Sequence, residues 1–224
     1  MKTLVSAVLV AVTLLLAALF THAAAQAETF VTGTLGAKVD GMELRLHSSY
    51  QTVPANAADG VTDPRQRAIL ERVAGTDQHT ATFMAREAMT MGGMVLVEAK
   101  LYVAIGTRAD GSEANGAHGV DVRFSLALDT LDLATLDDVE VYYYPRGWST
   151  SDFYALTDGG ITLTTFEVVD DTTLSIAGAV TGTLSHQTSF DVQHNLDDTL
   201  QFEAVFDIAR VIGSSTAFDM LTAE

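Results

Sequence analysis

Gly119-Val120-Asp121-Val122-Arg123-Phe124-Ser125-Leu126-Ala127-Leu128-Asp129 decides the fold class. Val120, Val122, Phe124, Leu126 and Leu128 alternate with Asp121, Arg123, Ser125, Ala127 and Asp129. A period of two puts the five apolar side chains on one face of an extended strand and the remainder on a wet face. The same alternation runs through Leu200, Phe202, Ala204, Phe206 and Ile208, and through Met42, Leu44 and Leu46. Val95 to Ile105 is apolar nearly throughout and reads as a more central strand. Thr29 to Leu35, Val139 to Tyr144, Ile161 to Val168 and Leu174 to Leu184 complete a set of eight.

Turn signals stand between the strands at Asp110-Gly111, Asp158-Gly159-Gly160, Asp170-Asp171 and Asn195 to Asp198, and short connections imply antiparallel neighbours. One-sided strands without alternating helices predict an all-β fold, an antiparallel β-sandwich, with a closed or partly closed barrel as its alternative. Gly178 and Gly182 inside one strand mark bends or bulges that either form uses. One short helix near residues 63 to 74 is signalled by the Asp63 cap, Pro64 in the first helical position, Gln66 at the capping-box position and Gly75 after the last turn. Its buried stripe is Ile69, Leu70 and Val73. Residues 81 to 94 fit strand and helix spacing alike and are read mostly as a strand.

Met1-Lys2, the apolar run Leu4 to Phe20 and the small residues Ala23 to Ala27 have the form of a signal peptide. The expectation is a leader over 1–27, removed to leave a single domain over 28–224, secreted to a periplasm or to the extracellular space. An uncleaved anchor is the alternative. With no Cys in the chain, disulfides, thiol nucleophiles and cysteine-held metals are excluded.

The formal charge is −17, and it is uneven: residues 28 to 109 carry 8 basic and 9 acidic groups, residues 110 to 224 carry 3 and 20. Such a surface repels phosphate backbones and anionic headgroups, so nucleic acid and membrane surfaces are not expected partners, whereas cationic partners and neutral glycans are compatible. Solvated charge that keeps the chain soluble is the plain account of most of it.

Gly160-Ile-Thr-Leu-Thr-Thr-Phe-Glu167 and Leu174-Ser-Ile-Ala-Gly-Ala-Val-Thr-Gly-Thr-Leu184, with Val31-Thr-Gly-Thr-Leu35 and Val39-Asp-Gly41, cover about a third of the chain. Together they resemble small secreted or lipoprotein-borne β-sandwich domains of uncharacterised function. The resemblance implies the fold class and no catalytic residue, and the cysteine that anchors such lipoproteins is absent here.

The chemistry-bearing stretch is Tyr142-Tyr143-Tyr144-Pro145-Arg146-Gly147-Trp148, followed by Asp152, Phe153 and Tyr154; it holds the sole Trp. On a strand Tyr142 and Tyr144 share a face, and Pro145 ends the strand, leaving Arg146 and Trp148 on a loop. Flat rings for stacking beside polar groups suit a glycan, and the same residue types anchor protein partners. Tyr142, Tyr144, Arg146, Trp148, Asp152 and Tyr154 are therefore the candidate ligand-binding edge. The competing account folds these rings inward to cover an open end of the core.

Acidic loops give a second candidate: Asp110, Glu113, Asp137 and Asp138 as oxygen ligands of calcium in a calcium-stabilised structural protein. The helix–loop–helix calcium pattern does not fit residues 110 to 122, and Asp also favours turns through its own backbone bonds. Met84, Met89, Met91 and Met94 suit monovalent copper or plain core packing. His186 and His194, with Asp191 between them, lack any zinc spacing and read as a hairpin pair. No Gly-x-Ser-x-Gly elbow, phosphate-cradling loop or dinucleotide fingerprint occurs, so the expectation is a non-catalytic module without a required cofactor.

Overall fold

The alternating segments form strands because each can bury one apolar row against the others, and the computed structural model describes residues 29–89, 95–105, 118–127, 136–147, 151–190, 194–213, 217 and 219. The strands are β1 (Thr29–Val39), β2 (Met42–Thr52), β3 (Asp77–His79), β4 (Ala81–Met89), β5 (Val95–Ile105), β6 (Gly119–Ala127), β7 (Leu136–Tyr144), β8 (Phe153–Asp170), β9 (Thr173–Gln187) and β10 (Asn195–Gly213). One helix, α1 (Pro64–Val73), lies between β2 and β3. Among the described residues no helix is long and apolar enough to cross a membrane.

The strands belong to one sheet in the order β3-β2-β1-β10-β4-β5-β6-β7-β8-β9, and β9 also pairs with β10. The all-β class with one short helix holds. Of the two forms expected, two separate face-to-face sheets are not what the hydrogen bonds draw; the pairings return from β9 to β10, as in a partly closed barrel. Two seams are short. β10 meets β4 in parallel only at Ile212 and Gly213, and β7 meets β8 only at Tyr142 and Tyr143.

The main core gathers Leu35, Phe83, Leu101, Val122, Phe124, Val141, Ile176, Val180, Leu184, Phe202, Phe206 and Ile208. Gly178 and Gly182 let it close: a Cβ at Gly178 would lie 2.8 Å from Phe206 Cζ, and one at Gly182 would lie 2.6 Å from Leu156 Cδ1. Asp158-Gly159-Gly160 and Asn195 to Asp198, expected as turns, lie inside β8 and at the start of β10. Gly159 there takes φ 121° opposite Gly182, just past the bulge between Leu156 and Asp158, so the glycine continues a strand rather than reversing it. The turn at Asp171 and Thr172 is found where it was expected.

Residues 51 to 78 form a compact unit distinct from the β body. Asp63 Oδ1 accepts from the backbone N–H groups of Arg65 at 2.8 Å and Gln66 at 2.9 Å, Pro64 occupies the first turn, and Leu70 packs with Val53 and Ala57. Gly75, with φ 74°, follows the helix and donates its N–H to Val53 O.

One expectation fails on β6. Its polar face is not wet: Asp121, opposite Tyr142 on β7, is 3% and Ser125 2% exposed, and on the same side of the sheet as Tyr142 the rings of Tyr144 and Phe153 form a further buried cluster with Ala155. Burial of Asp121 is possible because Arg123, two residues on and on the same face, forms an ion pair with it.

Candidate functional site

β7 delivers three consecutive tyrosines to two faces. Tyr143 points into the main core and Tyr142 and Tyr144 to the opposite side, as alternation requires. Tyr144 is only 2% exposed, so this ring is a packing residue rather than a surface for stacking a ligand. Half-buried Tyr142 meets Phe153 and Phe190 edge-on and has the Arg123 guanidinium 5.2 Å from its ring centre. Burial pushes both phenols well above the ordinary value, with Glu140 adding to it for Tyr142 and Asp121 for Tyr144.

β7 ends at Tyr144, before Pro145, and Gly147 takes φ 84° in the turn that follows. This turn projects Arg146, which is exposed, toward Asp152. Arg146 Nε donates to Asp152 Oδ2 at 2.9 Å, and Nη2 lies 2.5 Å from the same oxygen. On its other side Asp152 Oδ1 lies 3.1 Å from His186 Nε2. An ionised carboxylate only accepts, so this bond assigns the His186 proton to Nε2. The Asp152 carboxyl is held below its ordinary value by the His186 bond first, then, against the opposing effect of burial, by Arg146.

His186 stands at this point because β8 and β9 pair Tyr154 with His186, and β9 and β10 pair His186 with Asn195. Its Nδ1 is 3.8 Å from Asp198 Oδ2, and the Tyr154 hydroxyl donates to Asp198 Oδ1 at 3.2 Å. The Tyr154 ring is 5.2 Å from His186 and 6.3 Å from Tyr143, whose hydroxyl is 2.6 Å from His118 Nδ1. Arg146, Asp152, His186, Asp198 and Tyr154 thus form one connected polar and aromatic cluster, with Arg146 80% and Asp198 48% exposed at its surface.

The six residues of the expected edge therefore divide. Arg146, Asp152 and Tyr154 come together; Tyr142 and Tyr144 pack on the other face; Trp148 lies outside the described residues. His186 and Asp198 were missed, having been read as half of a histidine pair and as a turn residue. His194 in fact bonds Ser185 Oγ at 2.7 Å and Gln187 Nε2 at 2.9 Å, on the opposite face of β9 from His186, so the two histidines share no ligand position. The Ser185–His194 contact has the form of a nucleophile and its base, but Ser185 is fully buried and no substrate reaches it.

Of the calcium candidates, Asp110 and Glu113 lie outside the described residues, and Asp137 and Asp138 are placed on β7 by their backbone alone. Among the described residues no group of three or more His, Asp or Glu could hold a metal ion. Met84 is exposed on β4, and Met91 and Met94 lie outside the described residues. Comparison with known proteins finds no matching family, no matching curated relative and no matching solved structure.

Proposed function

We propose that this chain is an exported binding module, freed of its leader, that holds a protein partner at the Arg146–Asp152–His186–Asp198–Tyr154 cluster. The observation that carries the reading is the geometry of that cluster: opposite charges and a tyrosine, joined through one histidine and partly open to solvent. Arg and Tyr are the residue types that anchor protein interfaces, and a charged network fixes the orientation of whatever docks. A glycan platform needs an open ring face, and Tyr144 is buried while Tyr142 is occupied by Phe153, Phe190 and Arg123. The charge of −17 argues against a nucleic acid or a membrane surface as the partner. Export rests on the leader pattern of residues 1–27.

The test is a photo-crosslinking residue at position 151, expressed in the native cell, beside the same protein carrying Tyr154→Ala and Asp198→Ala. The expected result is a discrete protein adduct from the exported chain that disappears in the double variant. An adduct pattern indifferent to the double variant, or retention of the purified chain on a glycan panel with none on protein, overturns the reading.

A further inference from the structure

We infer that the open edge of β8 takes an extended basic segment of the partner as an added strand, which deepens and rests on the protein-partner reading. β8 runs from Phe153 to Asp170 and pairs with β9 along its length, but it meets β7 only at Tyr154 and Ala155. From Leu156 to Val169 its other edge has no strand partner among the described residues. An unpaired edge is a row of backbone donors and acceptors that water satisfies less specifically than another strand does.

Natural sheets blunt such edges with Lys or Pro. This one has neither: Leu156-Thr-Asp-Gly-Gly-Ile-Thr-Leu-Thr-Thr-Phe-Glu-Val-Val169 is rich in β-forming residues, and no Lys or Arg occurs from Gly147 to Ala209. It does carry bulges, at Leu156/Asp158, Leu163/Thr165 and Val168/Asp170, which leave Asp158 to Leu163 as the longest regular run. A guest of about six residues matches that run.

Charge selects the occupant. Asp158, Glu167 and Asp170 line the strand, so a second copy laid antiparallel on the same edge sets carboxylates toward carboxylates. A segment carrying Lys or Arg meets the opposite situation, and exposed Val168 and Val169 offer it apolar contact at one end. The other end of the open edge begins at Leu156, two residues along β8 from Tyr154 of the polar cluster.

The probe is a synthetic peptide of about eight residues alternating Lys and Val, titrated against the mature chain at low salt. Its controls are a Glu-for-Lys peptide and two peptides N-methylated at alternate residues, one for each edge, which keep the charge and remove hydrogen bonding. The expected result is saturable binding of the Lys peptide alone among the charge pair, and a loss of about tenfold or more in one N-methylated register. Thr162→Lys with Thr164→Lys, at exposed positions of β8, should weaken it comparably while leaving the melting midpoint in place. No saturable binding, or equal binding by both N-methylated peptides, overturns strand addition. Peptide binding untouched by the β8 lysines also overturns it, and leaves the protein-partner reading to its own crosslink.

Discussion

Arg123 and Asp121 stand two residues apart on one face of β6 and close an ion pair, with the guanidinium 5.2 Å from the centre of the Tyr142 ring. Burial pushes the Asp121 carboxyl up while Arg123 pulls it down, so the buried carboxylate depends on the guanidinium beside it. Asp121→Asn should therefore cost about 1–3 kcal/mol in urea unfolding, since it removes the buried carboxylate and leaves Arg123 to the more exposed Glu140 at 3.6 Å. Asp121→Leu combined with Arg123→Met should recover most of that loss, which a simple loss of packing would not allow.

The tyrosines of β7 give an alkaline signature. Burial, then Tyr154, pushes the Tyr143 phenol up to about 12, and Tyr142 and Tyr144 go higher still, whereas an unfolded chain ionises its tyrosines near the ordinary value of 10.0. The folded state thus holds more protons than the unfolded one above that value, so stability falls as pH rises. It should be complete below pH 10 and decline progressively between about pH 10 and 12. Near-ultraviolet phenolate absorbance should show these three ionising late, together with unfolding.

The Asp152 carboxyl behaves in the opposite sense. Its folded value lies below the ordinary 3.8, so its contribution is present above that pH and is lost as pH falls through the folded value. Carbon-detected NMR titration should place its midpoint below 3.8 in the native chain. Replacing His186 by Phe, or Arg146 by Ala, should each move it up, because the His186 bond and the Arg146 guanidinium both hold it down.

Glycines on β9 are not interchangeable with others on the sheet. Gly182→Ala drives a methyl against Leu156 Cδ1 and the β8 backbone, and Gly178→Ala meets Thr162 O at 2.5 Å and Phe206. Each should cost about 1–3 kcal/mol, whereas Gly36→Ala, with nothing within 4 Å of the new carbon, should be nearly neutral. Thermal midpoints of the three single variants decide it.

Calcium separates the two readings of the acidic surface. If the aspartates are solvated charge, calcium and magnesium at matched ionic strength should give the same melting midpoint. A site filled a hundredfold above its dissociation constant adds about 2.7 kcal/mol. A calcium-specific rise of several degrees would restore the metal-ordered alternative.

Much of the fold is legible in the sequence because strand alternation and the helix cap are local signals. β6 is found at Gly119–Ala127 where the alternation runs, and α1 begins just after Asp63. The site was legible only in part, for a reason of register. The turn sets Asp170 opposite Thr173, and three bulges then shift the ladder until Tyr154 faces His186; an unbroken ladder would set Tyr154 opposite Ser189. One such slip reverses which face a side chain occupies, and bulges leave little trace in composition. The wet face assigned to β6 failed for a related reason: alternation reports polarity, and a polar row stays buried when its charges pair with each other.

β10 carries the ladders to β1, β9 and β4, and it lies close to the end of the chain. Its partners on β1 lie more than 160 residues before it in the sequence, from Val39 opposite Phe202 to Gly33 opposite Ile208. Contacts of such long sequence separation form slowly. Closure of the sheet therefore waits on that distant pairing, whereas the β8–β9 hairpin needs only its two-residue turn.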